Sequence, residues 1–355
     1  MKVVTVVGLR NSREAARATH LAEFLIDQGT KLTRTTGLAL NADFAGTTVR
    51  LAFSQDDSLS RLIADSFFTA PTSRSSQPPG QSITVIRASD GVVVPNLEWA
   101  QPWISSNEVI PRSITGQYRL FIDRNHGLIY AYDTTTQTGT VYLRPTAALD
   151  IRTLITPFRV LWSWVSQTWD GLVLHGAAVG VDGVGVLLPG PSGSGKSTLA
   201  LTAGTGPNSF IVSDDCVIMT GTTAHAVFTR AKKVDSSENL DLAPEVNVIR
   251  GRGRAKKTIC LPSEVDSFQQ STNIGLLLFP HVFGRPGHYP LTATEARERL
   301  SGDSFREVLG GDEWQQQQIA TLTDSVPAYR LLLGPSDTEN LDTLRALVAN
   351  ASVQS

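Results

Sequence analysis

The eight residues Gly190-Pro191-Ser192-Gly193-Ser194-Gly195-Lys196-Ser197 constrain the fold of this chain more than any other stretch. They fit the pattern G-x-x-x-x-G-K-[ST], with the apolar run Val184 to Leu188 before them and the helix-forming Thr198-Leu199-Ala200-Leu201 after them. Glycines at 190, 193 and 195 let the backbone curl with its N–H groups turned inward, and the helix that follows adds its positive end. The segment therefore predicts a loop that cradles polyphosphate oxygens. Its candidate nucleotide-binding residues are Gly190, Ser192, Gly193, Ser194, Gly195, Lys196, Ser197 and Thr198. Lys196 would bridge the terminal phosphates and Ser197 would offer its hydroxyl to Mg²⁺, so ATP and Mg²⁺ are the implied ligands.

The flanks sharpen this reading. Asp182-Gly183 lies between two apolar runs, the signature of a two-residue hairpin turn. In that register Val181 faces Val184, and continuing outward sets His175 opposite Gly190, at the mouth of the loop. Downstream, a helix from Lys196 to Ala203 climbs about 12 Å, and a strand from Phe210 to Asp214 returns about 16 Å. Asp214 and Asp215 are thereby expected beside Lys196, where one can serve Mg²⁺ and the other can take a proton from an acceptor hydroxyl.

His175-Gly176, the Val181 to Val186 hairpin, the Gly190 to Ser197 loop and Ser213-Asp214-Asp215 resemble, in order and nearly in spacing, the catalytic domain of the HPr kinase/phosphorylase family. The likeness covers roughly residues 171 to 219. It implies a phosphoenolpyruvate-carboxykinase-like nucleotide-binding fold and phosphorylation of a protein serine. It also implies His175 at the active site, Lys196 on phosphate, Ser197 on Mg²⁺, Asp214 as general base and Asp215 in the metal shell. The family's later Glu-Arg-Gly signature has only an echo in Ile249-Arg250-Gly251, with isoleucine where an acid is needed. A bifunctional kinase/phosphorylase is not implied. The nearer likeness is to HPr-kinase-related proteins, some of which act on serines of biosynthetic precursor peptides.

With 355 residues, 41% apolar and 18% charged, the chain can hold two ordinary globular domains. A net charge of −2 gives no overall attraction to nucleic acid or anionic membrane. Apolar stretches fall short of the ~20 residues of a membrane span, and the first residues lack a signal peptide's apolar region, so a cytoplasmic protein is expected. The two cysteines, Cys216 and Cys260, have no metal-ligand spacing and read as small buried residues.

Residues 1–148 read as a small α+β N-terminal domain and residues 149–355 as a mixed-sheet α/β P-loop kinase domain. In the first, Val3 to Val7 is predicted as a strand and Ser12 to Gln28 as a helix ended by Gly29. Strands are predicted at Thr47 to Phe53, Ile83 to Ile86 and Val92 to Val94, with an antiparallel meander at Tyr118 to Ile122, Leu128 to Tyr132 and Thr140 to Leu143. Trp99 and Trp103 sit in a proline-flanked loop at the domain boundary. Leu149 to Trp169 carries helical spacing interrupted by Pro157.

Past the aspartates, Arg230-Ala-Lys232-Lys233 and the Arg250, Arg252, Arg254, Lys256, Lys257 cluster bracket an acidic stretch. One of Arg250, Arg252 and Arg254 is a candidate for steadying the transferred phosphoryl group, because phosphoryl transfer needs cations beyond the loop lysine. No aromatic residues interleave there, which argues against base stacking. Asn273 to Phe279 reads as a buried strand and Pro280 to Pro290 as a loop; the capping box Thr292-Ala-Thr-Glu295 starts a helix at Ala293 to Leu300, and helices at Asp312 to Leu322 and Asp337 to Val348 follow around a strand at Ala328 to Leu333.

Three functions stay open on these residues. The first is a kinase for serine on a protein or peptide, the second a kinase for a small alcohol or sugar, and the third a nucleotide-sensing module that transfers nothing. Self-association is also left open.

Overall fold

The stripe Ala18, Leu21, Ala22 and Leu25, spaced three and four apart along Ser12–Thr33 (α1), needs a flat apolar partner. The strands that follow supply it. The computed structural model describes residues 12–33, 37–44, 47–67, 80–95, 97, 117–123, 126–145, 149–150, 154, 156–204, 206–235, 248–249, 256–260, 268–308 and 313–352. The expected strand at Val3 to Val7, Trp99, Trp103, Arg250, Arg252 and Arg254 lie outside these residues. The fold is α/β, with mixed sheets and seven α-helices among the described residues.

Packing divides the chain into two units, Met1–Val165 with Asp241–Gly251, and Ser166–Leu240 with Arg252–Ser355. The first holds strands Leu38–Phe44 (β1), Thr47–Phe53 (β2), Gln81–Arg87 (β3), Tyr118–Asp123 (β4), Leu128–Asp133 (β5) and Thr138–Leu143 (β6), in the order β1-β2-β3-β6-β5-β4. The expected antiparallel meander is present at β4-β5-β6, but β3 runs parallel to both β2 and β6, so the sheet is mixed. α1 covers one face through Ile86, Leu120, Ile129 and Ala131. It does not stop at Gly29. The missing side chain there lets the helix close on the sheet, where a Cβ would come within 2.4 Å of Thr140 Oγ1. Ser58–Ala64 (α2) is capped by Asp57, which accepts from the Ser60 N–H. Val92 to Val94, predicted as a strand, is irregular chain after a short 3₁₀ turn at Ala88–Asp90.

The Leu149 to Trp169 stretch, expected as helical with an interruption at Pro157, is broken there. Leu149–Asp150 (β7) pairs with a short strand at 248–249, and the helix Arg159–Val165 (α3) begins only after Pro157 and Phe158. Proline cannot donate inside a helix, and Phe158 adopts a left-handed φ of 62°, which fixes the break. α3 belongs with the first unit: Trp162 is wholly buried and its ring lies 4.5 Å from that of Phe44 and 5.5 Å from that of Phe67. The unit boundary thus falls after Val165, not before Leu149, because the aromatic face of α3 is committed to the first core.

The second unit is built on a nine-stranded sheet. Its strands are Leu172–Leu174 (β8), Gly176–Val181 (β9), Val184–Pro189 (β10), Ser209–Ser213 (β11), Val217–Thr220 (β12), Thr223–Ala226 (β13), Ser271–Val282 (β17), Gly287–Leu291 (β18) and Ala328–Leu333 (β19). Ala231–Asp235 (β14) and Lys256–Cys260 (β16) form a separate antiparallel ribbon, and Val248–Ile249 (β15) is the partner of β7. The two basic segments of the sequence are therefore arms of one ribbon, with Lys233 opposite Thr258 and Val234 opposite Lys257.

β17 organises this sheet. It runs parallel to β10 on one side, pairs antiparallel with β13 through its first residues, and then runs parallel to β19 from Leu277 to Val282. It continues through Pro280 and His281, and Gly287 to Leu291 pairs with β19, so the segment expected as a loop is mostly strand. Helix Lys196–Gly204 (α4) packs Leu199, Ala200 and Ala203 against Val179, Val181 and Ile211. Helix Ala293–Val308 (α5) starts at the expected capping box, in which Thr292 Oγ1 accepts from the Glu295 N–H and Glu295 accepts from the Thr292 N–H. Helices Glu313–Ser325 (α6) and Asp337–Ser352 (α7) complete the unit, with Leu344, Leu347 and Val348 of α7 in the same core as α4. Among the described residues no helix is long and apolar enough to cross a membrane.

Gly185 is where β10 meets β17 most closely. A Cβ there would stand 2.1 Å from the Asn273 carbonyl oxygen, a backbone atom that cannot step aside. Gly185→Ala is expected to cost about 1–3 kcal/mol, the range for forced overpacking, read as a lower urea midpoint by circular dichroism. An unchanged midpoint would contradict the close approach.

Candidate functional site

The glycine-rich loop Gly190 to Ser197 sits where three parallel strand ends meet. β10 delivers Gly190 after Pro189, and β17 and β19 end beside it. Gly195 has a φ of 99°, a conformation L side chains rarely adopt, and a Cβ there would lie 2.4 Å from Leu333 Cδ1 at the end of β19. Backbone conformation and packing both demand glycine. The Ser194 N–H donates to the Pro191 carbonyl at 3.2 Å and the Leu199 N–H to the Gly195 carbonyl at 2.9 Å, so the loop passes directly into α4. Ser192 and Thr198 are exposed, Ser197 is half-buried, and Ser194 is buried.

The Lys196 ammonium is buried and curls back over the loop, donating to the Gly190 carbonyl at 2.6 Å and the Pro191 carbonyl at 2.9 Å. One residue on, the Ser197 hydroxyl donates to Asp214 Oδ1 at 2.8 Å. That bond joins the first turn of α4 to the end of β11, as the matched helix and strand lengths predict. A bulge assists: Ile211 faces Val179 but Ser213 faces Ala178, so β11 carries an extra residue just before the acids.

Asp214 is fully buried and Asp215 nearly so. Asp215 has a left-handed φ of 71°, which turns the chain sharply from β11 into β12. Ser213 Oγ donates to the Cys216 carbonyl at 2.5 Å and clamps this turn. Ser213 entered the sequence reading only through its place beside the two acids, since a hydroxyl's backbone partner three residues on leaves no pattern in composition or periodicity.

The hairpin register is the one Asp182-Gly183 predicts. Val181 faces Val184 and Pro189 faces Gly176, with Asp182 and Gly183 both at positive φ, 48° and 85°. His175 follows as the residue beyond the last pair, buried at the bend between β8 and β9. Its Nδ1 lies 3.2 Å from the Asp215 carbonyl oxygen and 3.7 Å from Asp215 Oδ1. A carbonyl can only accept, so this contact puts a proton on Nδ1. Three pieces of chain are thus linked in sequence: loop to Lys196, Ser197 to Asp214, and Asp215 to His175.

The residues fit a nucleotide with its metal. Ser194 Oγ is a buried polar atom with no hydrogen-bond partner among the described residues, and it stands 3.0 Å from where a Cβ at Gly190 would be. A loop interior that keeps a hydroxyl and glycine-lined space suits phosphate oxygens. Among the described residues no three His, Cys, Asp or Glu side chains gather as a metal cage. Mg²⁺ does not need one, since it is commonly held by one or two carboxylates, a hydroxyl, waters and the substrate phosphates. No protein-family model matches the sequence, and no curated protein matches it. The site therefore has to be judged on its own geometry.

Removing the Ser197 hydroxyl takes a donor from a fully buried carboxylate. Ser197→Ala is expected to lower stability by about 1–3 kcal/mol, measured by urea unfolding without nucleotide, with Ser197→Thr close to the parent. Equal stability of all three proteins would show that the bond carries no weight.

Proposed function

We propose that this protein is an ATP- and Mg²⁺-dependent phosphotransferase acting on a hydroxyl, with a P-loop kinase fold of the HPr kinase and phosphoenolpyruvate-carboxykinase-like type. The acceptor is a serine of a protein or of a biosynthetic precursor peptide. One observation carries the reading: the Ser197 hydroxyl and Asp214 carboxylate, on separate elements, meet at 2.8 Å beside the buried Lys196. A plain nucleotide-sensing loop needs the lysine and the backbone cradle. Such a loop needs at most one acid for its metal, and a second buried acid beside it fits the proton acceptor that transfer to a hydroxyl requires.

The loop N–H groups and the amino end of α4 hold the β- and γ-phosphates, and Lys196 exchanges its loop carbonyls for phosphate oxygens. Ser197 and Asp215 are the residues that would hold Mg²⁺, which when bound spreads the negative charge of the transferring group. Asp214 takes the proton of the acceptor hydroxyl as its oxygen bonds to the γ-phosphorus and the bond to the β-phosphate oxygen breaks, releasing ADP. His175, buttressed by the Asp215 carbonyl, steadies the phosphate end of the site. Little covalent work falls on the protein, so positioning and charge stabilisation supply the acceleration.

The test is transfer from γ-labelled ATP to candidate peptides or a cell extract. Label is expected on a polypeptide serine. Lys196→Ala is expected to abolish donor use, and Asp214→Asn to lower kcat by on the order of 10²–10⁴ while ATP still binds. Label on a small molecule would move the acceptor to an alcohol or sugar. No transfer to any acceptor, with ATP bound tightly, would overturn the kinase reading.

A further inference from the structure

Among the described residues of the second unit four buried side chains carry formal charge: Lys196, Asp214, Asp215 and Arg230. Three belong to the site. Arg230 is 0% exposed and has no part in the scheme above. A guanidinium does not surrender its proton inside a protein, so it brings a full positive charge into the core, and such a charge persists only beside an opposite one.

Strand register shows where that charge enters. Val217 pairs with Leu174 on one side and with Ala226 on the other, so His175, Cys216 and Val227 all lie at the same end of β8, β12 and β13. Arg230 follows Val227 by three residues. Its neighbour Ala231 is buried in the cluster that contains Leu199, Ala200 and Ala203 of α4. The arginine backbone is thus strung between the acid turn and the helix that carries Lys196 and Ser197. The buried acids available to it among the described residues of this unit are Asp214 and Asp215, and with Lys196 the four charges balance.

We infer that Arg230 is the counter-charge of the Asp214–Asp215 pair, a positioning residue that holds the strained acid turn against the phosphate loop. This is a different role from the one sought among Arg250, Arg252 and Arg254, and it falls to an arginine 20 residues before the first of them. Its effect on catalysis rests on the phosphotransfer reading, whereas the charge pairing itself does not.

The experiment is a double-mutant cycle read by urea unfolding of the full chain without nucleotide. It compares Arg230→Met, Asp214→Asn, Asp215→Asn and the two doubles that contain Arg230→Met. Pairing makes at least one double non-additive, by on the order of tenfold in the unfolding equilibrium constant. Additivity in both doubles overturns the inference. Should Arg230→Met alone be insoluble, recovery of soluble folded protein in either double supports it, and insolubility of both overturns it. Arg230→Lys, which keeps the charge, is expected to fold and to lower kcat at unchanged KM for ATP. If Arg230→Lys leaves both kcat and KM as in the parent, the positioning role is overturned. Absence of any transfer in the parent protein, by contrast, would speak against the kinase reading and leave the unfolding cycle standing.

Discussion

Two adjacent carboxylates with almost no contact with water are the constraint on which the second unit depends. Burial penalises their ionised form, so Asp214 and Asp215 can be kept only if donors and positive charge are built around them. The Ser197 hydroxyl meets Asp214, the His175 ring stands against Asp215, and Ser213 ties the turn on its far side. Each partner comes from a different element. The acids therefore fix the relation of hairpin, helix and returning strand, and a stable fold and an assembled site amount to the same requirement.

The sheet makes that assembly local. β10, β17 and β19 run parallel and end together, which places the loop at their carboxyl ends, where ligands bind in sheets of this kind. Gly195 against Leu333 at the loop and Gly185 against Asn273 at the far end of β10 show how closely the backbone is drawn in along this strand. β9 lies between β10 and β11, so a single antiparallel hairpin carries the histidine to the loop on one side and meets the strand that carries the acids on the other.

Much of this was legible in the residues because it is local. The Asp182-Gly183 turn sets the register of β9 and β10 down to Pro189 opposite Gly176, and His175 follows one residue beyond that last pair. The Thr292 to Glu295 capping box announced α5 for the same reason. What escaped was decided by distant partners. Gly29 reads as a helix stop until the sheet is there to receive it, and Gly287 to Leu291 reads as a loop until β19 pairs with it. The break at Pro157 is legible, but not the side the later piece takes: Trp162, packed on Phe44, commits Arg159–Val165 to the first unit. Arg230 reads only as one member of a basic segment, because burial of a single arginine leaves no periodic trace.

The most direct test of the account is a crystal structure with a non-hydrolysable ATP analogue and Mn²⁺ in place of Mg²⁺, with the metal located by its anomalous signal. The β- and γ-phosphates are expected within the Gly190 to Ser197 loop, and the metal on Ser197 Oγ and the Asp215 carboxylate. Phosphates or metal bound elsewhere, with Ser197 still hydrogen-bonded to Asp214 and Lys196 still folded onto its own loop, would contradict it.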